Sequence, residues 1–173
     1  MFLRWGGAVL IVAAAYYMGL DKAKALQVRS SVLNQFQYSL GMLAMEINYG
    51  LTPLPTACKS LSNKVKAPVN SFYYSLYSKL ENGAAKSMQE VWYMSLEEKK
   101  ESMFLEKADL DILLPLGAVM NLEDRKGIIK HLYLAQAQLR QAFYNAEEKR
   151  QKMARMYIYL GLLGGMLLVI ILI

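Results

Sequence analysis

Residues Tyr157 to Ile173 read YIYLGLLGGMLLVIILI and contain no charged side chain. A helix of this length rises about 25 Å, slightly less than the roughly 30 Å hydrocarbon core of a bilayer. The stretch has no polar face, so a helix here would be apolar on every side. A buried core helix of a globular domain is the alternative interpretation. We predict a membrane-spanning helix over residues 157–173.

The beginning of the chain is also apolar, from Phe2 to Leu20. Its basic start at Arg4 and its apolar centre are typical of a secretory signal peptide as well as of a membrane helix. The bulky run Tyr16 to Met18 follows the centre, where signal cleavage would require small residues. We therefore predict an uncleaved membrane helix over residues 2–20, with residues 21–156 as the domain between the two spans.

The charge distribution predicts how these spans are oriented. The chain has a net charge of +6, and all fourteen acidic side chains lie within residues 21–156. Cations concentrate on the inner flank of each span: Lys22, Lys24, Arg29, Lys149, Arg150, Lys152 and Arg155. Because positively charged flanks stay in the cytosol, we expect both ends to point away from it and the middle domain to face it. The single cysteine, Cys58, excludes an internal disulfide.

The middle domain shows the periodicity of helices, with apolar residues three or four positions apart. One stripe comprises Val32, Phe36, Leu40, Leu43 and Ile47, and the last comprises Ile128, Leu132, Ala135, Leu139, Ala142 and Ala146. No helix breaker separates the last stripe from the apolar tail, so one helix should continue from about Leu122 into the bilayer. We predict an all-α fold: a compact bundle of about six helices with a transmembrane helix at each end.

Local signals predict where several of these helices begin and end. Gly50 is suited to end the first bundle helix, and Thr52 to cap the next, with Pro53 in its first turn. Ser95 and Glu98 have the spacing of a capping box and predict that a further helix begins there.

The sequence offers few groups for catalysis. His131 is the single histidine, so no zinc site of the usual His/Cys kind can be built, and Cys58 has no other candidate base. No glycine-rich phosphate loop is present. Six carboxylates cluster within fifteen residues, interleaved with lysines: Glu97, Glu98, Glu101, Glu106, Asp109 and Asp111. We interpret them as a solvated helix face, with the site of a membrane enzyme as the alternative, and we predict no catalytic residue, cofactor or metal.

Two features near the second span suggest contacts with the membrane. The basic run from Lys149 to Arg155 could bind nucleic acid, but beside a membrane helix we interpret it as a contact with anionic lipids. Gly161 and Gly165 form a GxxxG step that would let the two membrane helices pack closely. The alternative is that glycine is simply frequent in membrane helices.

The segment from Glu46 to Leu54, EINYGLTPL, joins two predicted helices. It is either a docking surface with an acidic side chain at its edge or a turn shaped by its glycine, threonine and proline. As a docking surface, its candidate partner-binding residues are Glu46, Tyr49, Gly50, Thr52, Pro53 and Leu54.

The same segment carries a family resemblance. The chain resembles the stage III sporulation protein AB family of endospore-forming bacteria over its whole length. The features that carry the resemblance are this segment, Ala57, the turn from Gly117 to Arg125, the Lys130–His131 pair and the apolar ends. Two departures are visible: family members have a glutamine near Ile128–Ile129, and Asn121 stands where glycine is frequent.

The resemblance implies a platform protein without enzymatic activity. The family's soluble part is similar to the cytoplasmic helical domain of the F protein of type II secretion and type IV pilus systems. The implied partners are a cytosolic secretion-type ATPase, stage III sporulation protein AA, other stage III sporulation channel proteins and membrane lipids, but no nucleic acid. The implied location is the mother-cell membrane around the forespore, with the bundle in the mother-cell cytosol. A homo-oligomer is compatible with this role. A platform protein outside sporulation and a small subunit of a membrane enzyme are the alternatives.

Overall fold

The computed structural model describes residues 2–49, 52–83, 87–122 and 124–172, apart from the side chains of residues 2–12, 15, 161, 162, 165 and 167–172. These residues form α-helices and no strand, which confirms the predicted all-α class. Seven helices occur in these ranges: α1 (Phe2–Tyr49), α2 (Leu54–Lys64), α3 (Val69–Glu81), α4 (Met88–Met103), α5 (Lys107–Leu113), α6 (Pro115–Val119) and α7 (Arg125–Leu172).

The chain divides into two compact units. Residues Ser31–Tyr144 form one, here called the core unit, and residues Met1–Ser30 together with Asn145–Ile173 form the other, here called the end unit. Both long helices, α1 and α7, contribute residues to each unit. The predicted domains, residues 2–20, 21–156 and 157–173, stay predictions.

Aromatic side chains form the centre of the core unit. Phe72 of α3 packs edge-to-face against Phe36 of α1 and Trp92 of α4, with ring centroids 5.4 and 5.1 Å apart. The indole nitrogen of Trp92 donates a hydrogen bond to the carbonyl oxygen of Leu113 at 2.9 Å. The predicted apolar stripes of α1 and α7 are buried, except that Ile47 and Ala142 are half-buried. Periodicity therefore identified the core faces of both helices.

Gly117 of α6 allows a close approach to α4. A Cβ atom at this position would lie 2.8 Å from the Cβ of Trp92 and 3.2 Å from the Cα of Gln89. Neither neighbour is the end of a flexible side chain, so a larger residue would have to displace the helix itself. The glycine is thus required for packing against the buried tryptophan.

The predicted start of a helix at Ser95 is wrong. Ser87 caps α4 instead, accepting a hydrogen bond from the backbone N–H of Glu90 at 3.2 Å, and α4 continues to Met103. Ser95 lies inside this helix and is fully buried, within 3.3 Å of the Ser75 hydroxyl. The helix continues through Ser95 because its neighbours at helical spacing are buried in the core, and tertiary packing outweighs a local capping pattern.

The last helix confirms the predicted continuity. Helix α7 extends without interruption from Arg125 to Leu172. Asp124 precedes it, and its carboxylate accepts hydrogen bonds at 3.0 Å from the backbone N–H groups of Lys126 and Gly127. These bonds satisfy donors in the first turn that have no partner within the helix.

In the end unit, α1 and α7 approach each other closely. A Cβ atom on Gly19 would lie 2.6 Å from the backbone carbonyl oxygen of Tyr157, so only glycine fits without a shift. Further along, the Ser30 hydroxyl donates a 2.7 Å hydrogen bond to Glu147, which also binds Arg150. The two helices are antiparallel here, since the numbers of the contacting residues rise in α1 as they fall in α7.

Among the described residues, no helix has a stretch long and apolar enough to cross a membrane. Much of both predicted spans, residues 2–20 and 157–173, falls on side chains outside the described set. The two transmembrane helices therefore stay predictions.

Candidate partner-binding corner

Three of the predicted partner-binding residues, Tyr49, Thr52 and Pro53, are exposed at the corner between α1 and α2. Glu46 lies in the last turn of α1, and Tyr49 is the final residue of that helix. The Thr52 hydroxyl donates a hydrogen bond to Oε2 of Glu46 at 3.1 Å. Glu46 and Thr52 are thereby brought together across the turn, whereas Gly50 lies outside the described residues.

A second contact orients the carboxylate of Glu46. Nζ of Lys64, at the end of α2, lies 3.9 Å from its Oε1. The side chains of Glu46 and Lys64 are 32% and 50% exposed, so water screens the pair and its contribution to stability is small. The two contacts hold the carboxylate in place and leave it accessible to a partner.

Tyr49 is the most exposed large side chain of the corner. It is 81% exposed, and Thr52 and Pro53 beside it are exposed as well, while Leu54 is half-buried. Tyrosine combines a large apolar ring with a hydroxyl group and is enriched at protein interfaces. The corner therefore offers an aromatic side chain next to a fixed negative charge.

The predicted capping role of Thr52 is wrong. Helix α2 begins at Leu54, and the residue before it is Pro53, which has no side-chain cap. Thr52 lies one position too early to cap this helix, and its hydroxyl binds Glu46 instead. Pro53, predicted in the first turn, instead lies one position before the helix, and Pro55 occupies the first turn.

Buried contacts hold α2 against the rest of the core unit. Ala57, Cys58 and Leu61 are buried on one face of α2. After the helix ends, the backbone N–H of Lys66 donates a 2.6 Å hydrogen bond to Oε1 of Gln35 in α1. The corner is thus fixed on both sides, by the packing of α2 and by this bond to α1.

The thiol of Cys58 and the imidazole of His131 lie in different surroundings. Burial raises the pKa of the Cys58 thiol to about 12, so the sulfur stays protonated and is a poor nucleophile. His131 is exposed on α7. Among the described residues, no three His, Cys, Asp or Glu side chains are arranged to hold a metal ion.

The carboxylate cluster takes part in structural contacts. Asp109 is fully buried, and its side chain accepts a 2.8 Å hydrogen bond from the backbone N–H of Glu106 at the beginning of α5. Glu98 binds the ammonium groups of Lys79 and Lys99, each at 2.7 Å, and the hydrogen bond from Lys79 is the main cause that lowers the pKa of Glu98 to about 2. The predicted solvated face is therefore wrong for Asp109, whereas the other five carboxylates of the cluster are exposed.

Sequence reasoning missed three residues that shape these surfaces. Lys64 and Gln35 fix the corner from distant positions, and no local pattern indicates either contact. Gly19 was visible as a glycine in an apolar stretch, but its proximity to Tyr157 depends on the partner helix. The predicted packing residues Gly161 and Gly165 belong to α7, but their surroundings lie outside the described residues.

Comparison with known proteins assigns the chain to a family. The family model described as stage III sporulation protein AB matches residues 4–173. The stage III sporulation protein AB of Bacillus subtilis (strain 168) is 31% identical over 166 residues, which cover 96% of each chain. A solved structure of stage III sporulation protein AB superposes with a TM-score of 0.68 at 27% identity, covering 72% of this chain and 98% of the other. The chain therefore belongs to the stage III sporulation protein AB family, a family of sporulation proteins.

Proposed function

We propose that this protein is a membrane-anchored platform of the sporulating cell that links a cytosolic ATPase to the channel between mother cell and forespore. The observation that carries the proposal is the corner between α1 and α2, where Tyr49 is 81% exposed beside the fixed carboxylate of Glu46. The corner binds without reacting: its polar groups can pair with a partner, and the thiol nearby in α2 is buried and protonated.

Membrane anchoring is supported by the uncharged stretch of residues 157–173 and by the apolar residues 2–20. The cationic flanks of these stretches support a cytosolic core unit in the mother cell, where a cytosolic ATPase could contact it. The likeness to the F proteins of secretion systems belongs to the same proposal, since those proteins couple an ATPase to an assembly across the envelope.

The proposed docking role can be tested by co-purification. The full chain in detergent would be mixed with the ATPase, stage III sporulation protein AA. Truncating a central aromatic side chain of an interface typically costs 2 kcal/mol or more, so Tyr49→Ala should weaken binding about thirtyfold. Glu46→Gln keeps the shape of the side chain, loses its charge and should weaken binding by a smaller factor.

The matched control is Tyr74→Ala, because Tyr74 is a tyrosine of α3 that is 61% exposed. It should bind the ATPase as the unsubstituted protein does. Equal binding by Tyr49→Ala and the unsubstituted protein would remove the corner as the docking site. Equal losses in Tyr49→Ala and Tyr74→Ala would point to a general effect of removing surface tyrosines.

The uninterrupted helix α7 supports a mechanical coupling within this proposal. A flexible Gly/Ser stretch inserted at Lys152 would interrupt α7 inside the end unit, ahead of the apolar tail. Sporulation should fail in this variant while binding of the ATPase is retained. Normal sporulation with the insertion would exclude a rigid relay.

A further inference from the structure

Among the described residues of the end unit, some cations form ion pairs with carboxylates and others do not. Glu147 binds Arg150, and Glu148 binds Lys152 at 2.5 Å, so much of the basic run before the apolar tail is neutralised internally. Lys149 is also engaged in an interaction. The predicted lipid contact over Lys149 to Arg155 therefore lacks most of the free charge that the sequence suggested.

Three other cations of the end unit make no hydrogen bond or ion pair with any residue that the structure describes. They are Lys22 and Lys24 of α1 and Arg155 of α7, and all three are exposed. Asp21 beside them is an exposed carboxylate that offsets one of the three charges. The group retains a net charge of about +2 by this count of formal charges.

The close contact between Gly19 and Tyr157 shows that these cations lie at similar heights along the axes of α1 and α7. Residues 22 and 24 follow Gly19 in α1, and residue 155 precedes Tyr157 in the antiparallel α7. At about 1.5 Å per residue, all three lie roughly 3 to 8 Å from the contact along the helices, on the side away from the apolar ends.

Exposed tyrosines lie on the other side of the Gly19–Tyr157 contact along the helix axes, toward the apolar ends. Tyr17 and Tyr159 are 67% and 62% exposed, and each lies two residues from Gly19 or Tyr157 toward the apolar ends. Exposed tyrosines beside a layer of lysine and arginine are the arrangement found where membrane proteins cross the interface between headgroups and acyl chains. The order along the helices is therefore cations, tyrosines and then apolar residues.

We propose that Lys22, Lys24 and Arg155 bind the phosphate groups of anionic phospholipids, with Tyr17 and Tyr159 at the boundary of the acyl chains. The proposal rests on the membrane anchoring proposed above and moves the lipid contact from the basic run to these three residues. The occupant is the surface of an anionic bilayer, because unpaired cations next to apolar segments match its negative charge and its depth.

The test uses the full chain reconstituted into vesicles of phosphatidylcholine with 20% phosphatidylglycerol (about one anionic lipid in five). Electron paramagnetic resonance with spin-labelled lipids measures how strongly each lipid associates with the protein. The triple variant Lys22→Gln, Lys24→Gln, Arg155→Gln should lose the preference for phosphatidylglycerol. Because one cation near such a surface is worth about fivefold in binding, removing three should reduce the preference at least about fivefold, and high salt should have the same effect.

The matched control removes three exposed lysines of the core unit, Lys66→Gln, Lys107→Gln and Lys126→Gln, and so has the same net charge. It should retain the preference. An unchanged preference in the triple variant, or an equal loss in the control, would overturn the assignment of these residues.

Alkaline extraction of the vesicles separates this inference from the proposed function. A protein that resists extraction but shows no lipid preference would defeat the lipid site alone. A protein that alkali removes from the vesicles would defeat the membrane anchor and the lipid site together.

Discussion

The two units of the molecule are stabilised by different kinds of contact. In the core unit, large side chains such as Phe72 and Trp92 are fully buried against one another. In the end unit, α1 and α7 meet through a glycine against a backbone carbonyl and through a hydrogen-bonded cluster at Glu147, while tyrosines remain exposed. The core unit is thus packed around buried aromatic rings, and the described part of the end unit is packed through a glycine and polar side chains.

This comparison predicts that a buried aromatic residue of the core unit will have the largest effect on stability. Trp92→Ala removes the indole ring, its contact with Phe72 and its hydrogen bond to Leu113. We expect a loss of about 3–5 kcal/mol in the free energy of unfolding, measured by urea denaturation of the full chain in detergent. Trp92→Phe retains an aromatic ring and should lose less; equal losses in the two variants would contradict this account of the core.

A second prediction concerns the close helix contact of the end unit. Gly19→Val places methyl groups against the backbone carbonyl of Tyr157, which cannot rotate away, and should destabilise the helix pair by about 1–3 kcal/mol. Gly164→Val is the matched control, because nothing lies within 4 Å of a Cβ atom there. The melting temperature in detergent should fall for Gly19→Val alone. Equal melting temperatures for the two variants would show that the helices do not pack through Gly19.

A smaller effect should appear at acidic pH. Hydrogen bonds from Arg150, Ser30 and Gln151 lower the pKa of Glu147 from 4.5 to about 2. Because the folded-state pKa lies below the unfolded value, the stabilisation is complete above pH 4.5 and is lost as the pH falls toward 2. The carboxylate is partly exposed, so the effect should be below about 1 kcal/mol.

Urea unfolding at pH 7 and pH 3 measures this contribution. Glu147→Gln should lower the free energy of unfolding at pH 7. The difference between its free energies of unfolding at pH 7 and pH 3 should be smaller than in the unsubstituted protein. Glu98 titrates in the same range, since its pKa is also lowered to about 2, so some dependence on pH should persist in the variant. An identical change with pH in both proteins would exclude the cluster at Glu147 as a source of stability.

Sequence patterns predicted the parts of this fold that depend on regular spacing. The buried faces of α1 and α7 and the unbroken extent of α7 followed from apolar periodicity and from the lack of a breaker. Local capping patterns at Thr52 and Ser95 were misleading, because the Thr52 hydroxyl binds Glu46 across the turn and the Ser95 hydroxyl lies in the core beside that of Ser75.

The contacts of the candidate site could not be predicted from the sequence, and its partner-binding role stays a prediction. The segment from Glu46 to Leu54 stood out by its composition, and Tyr49, Thr52 and Pro53 in it are exposed. The pairing of Glu46 with Lys64 depends on how α2 folds back, which no local pattern encodes. Within the part of the chain that the structure describes, Lys22 and Arg155 lack an ionic partner, and this likewise depends on which carboxylates bind their neighbours.

Protease treatment of sporulating cells tests the central claim, a membrane anchor with the core unit in the cytosol, most directly. Intact and lysed protoplasts would be treated with protease, and the core unit followed with an antibody. The account predicts that the core unit survives in intact protoplasts and is digested only after lysis. Digestion in intact protoplasts would place it outside the cytosol, where no cytosolic ATPase could reach the corner at Tyr49, and would contradict the proposed function.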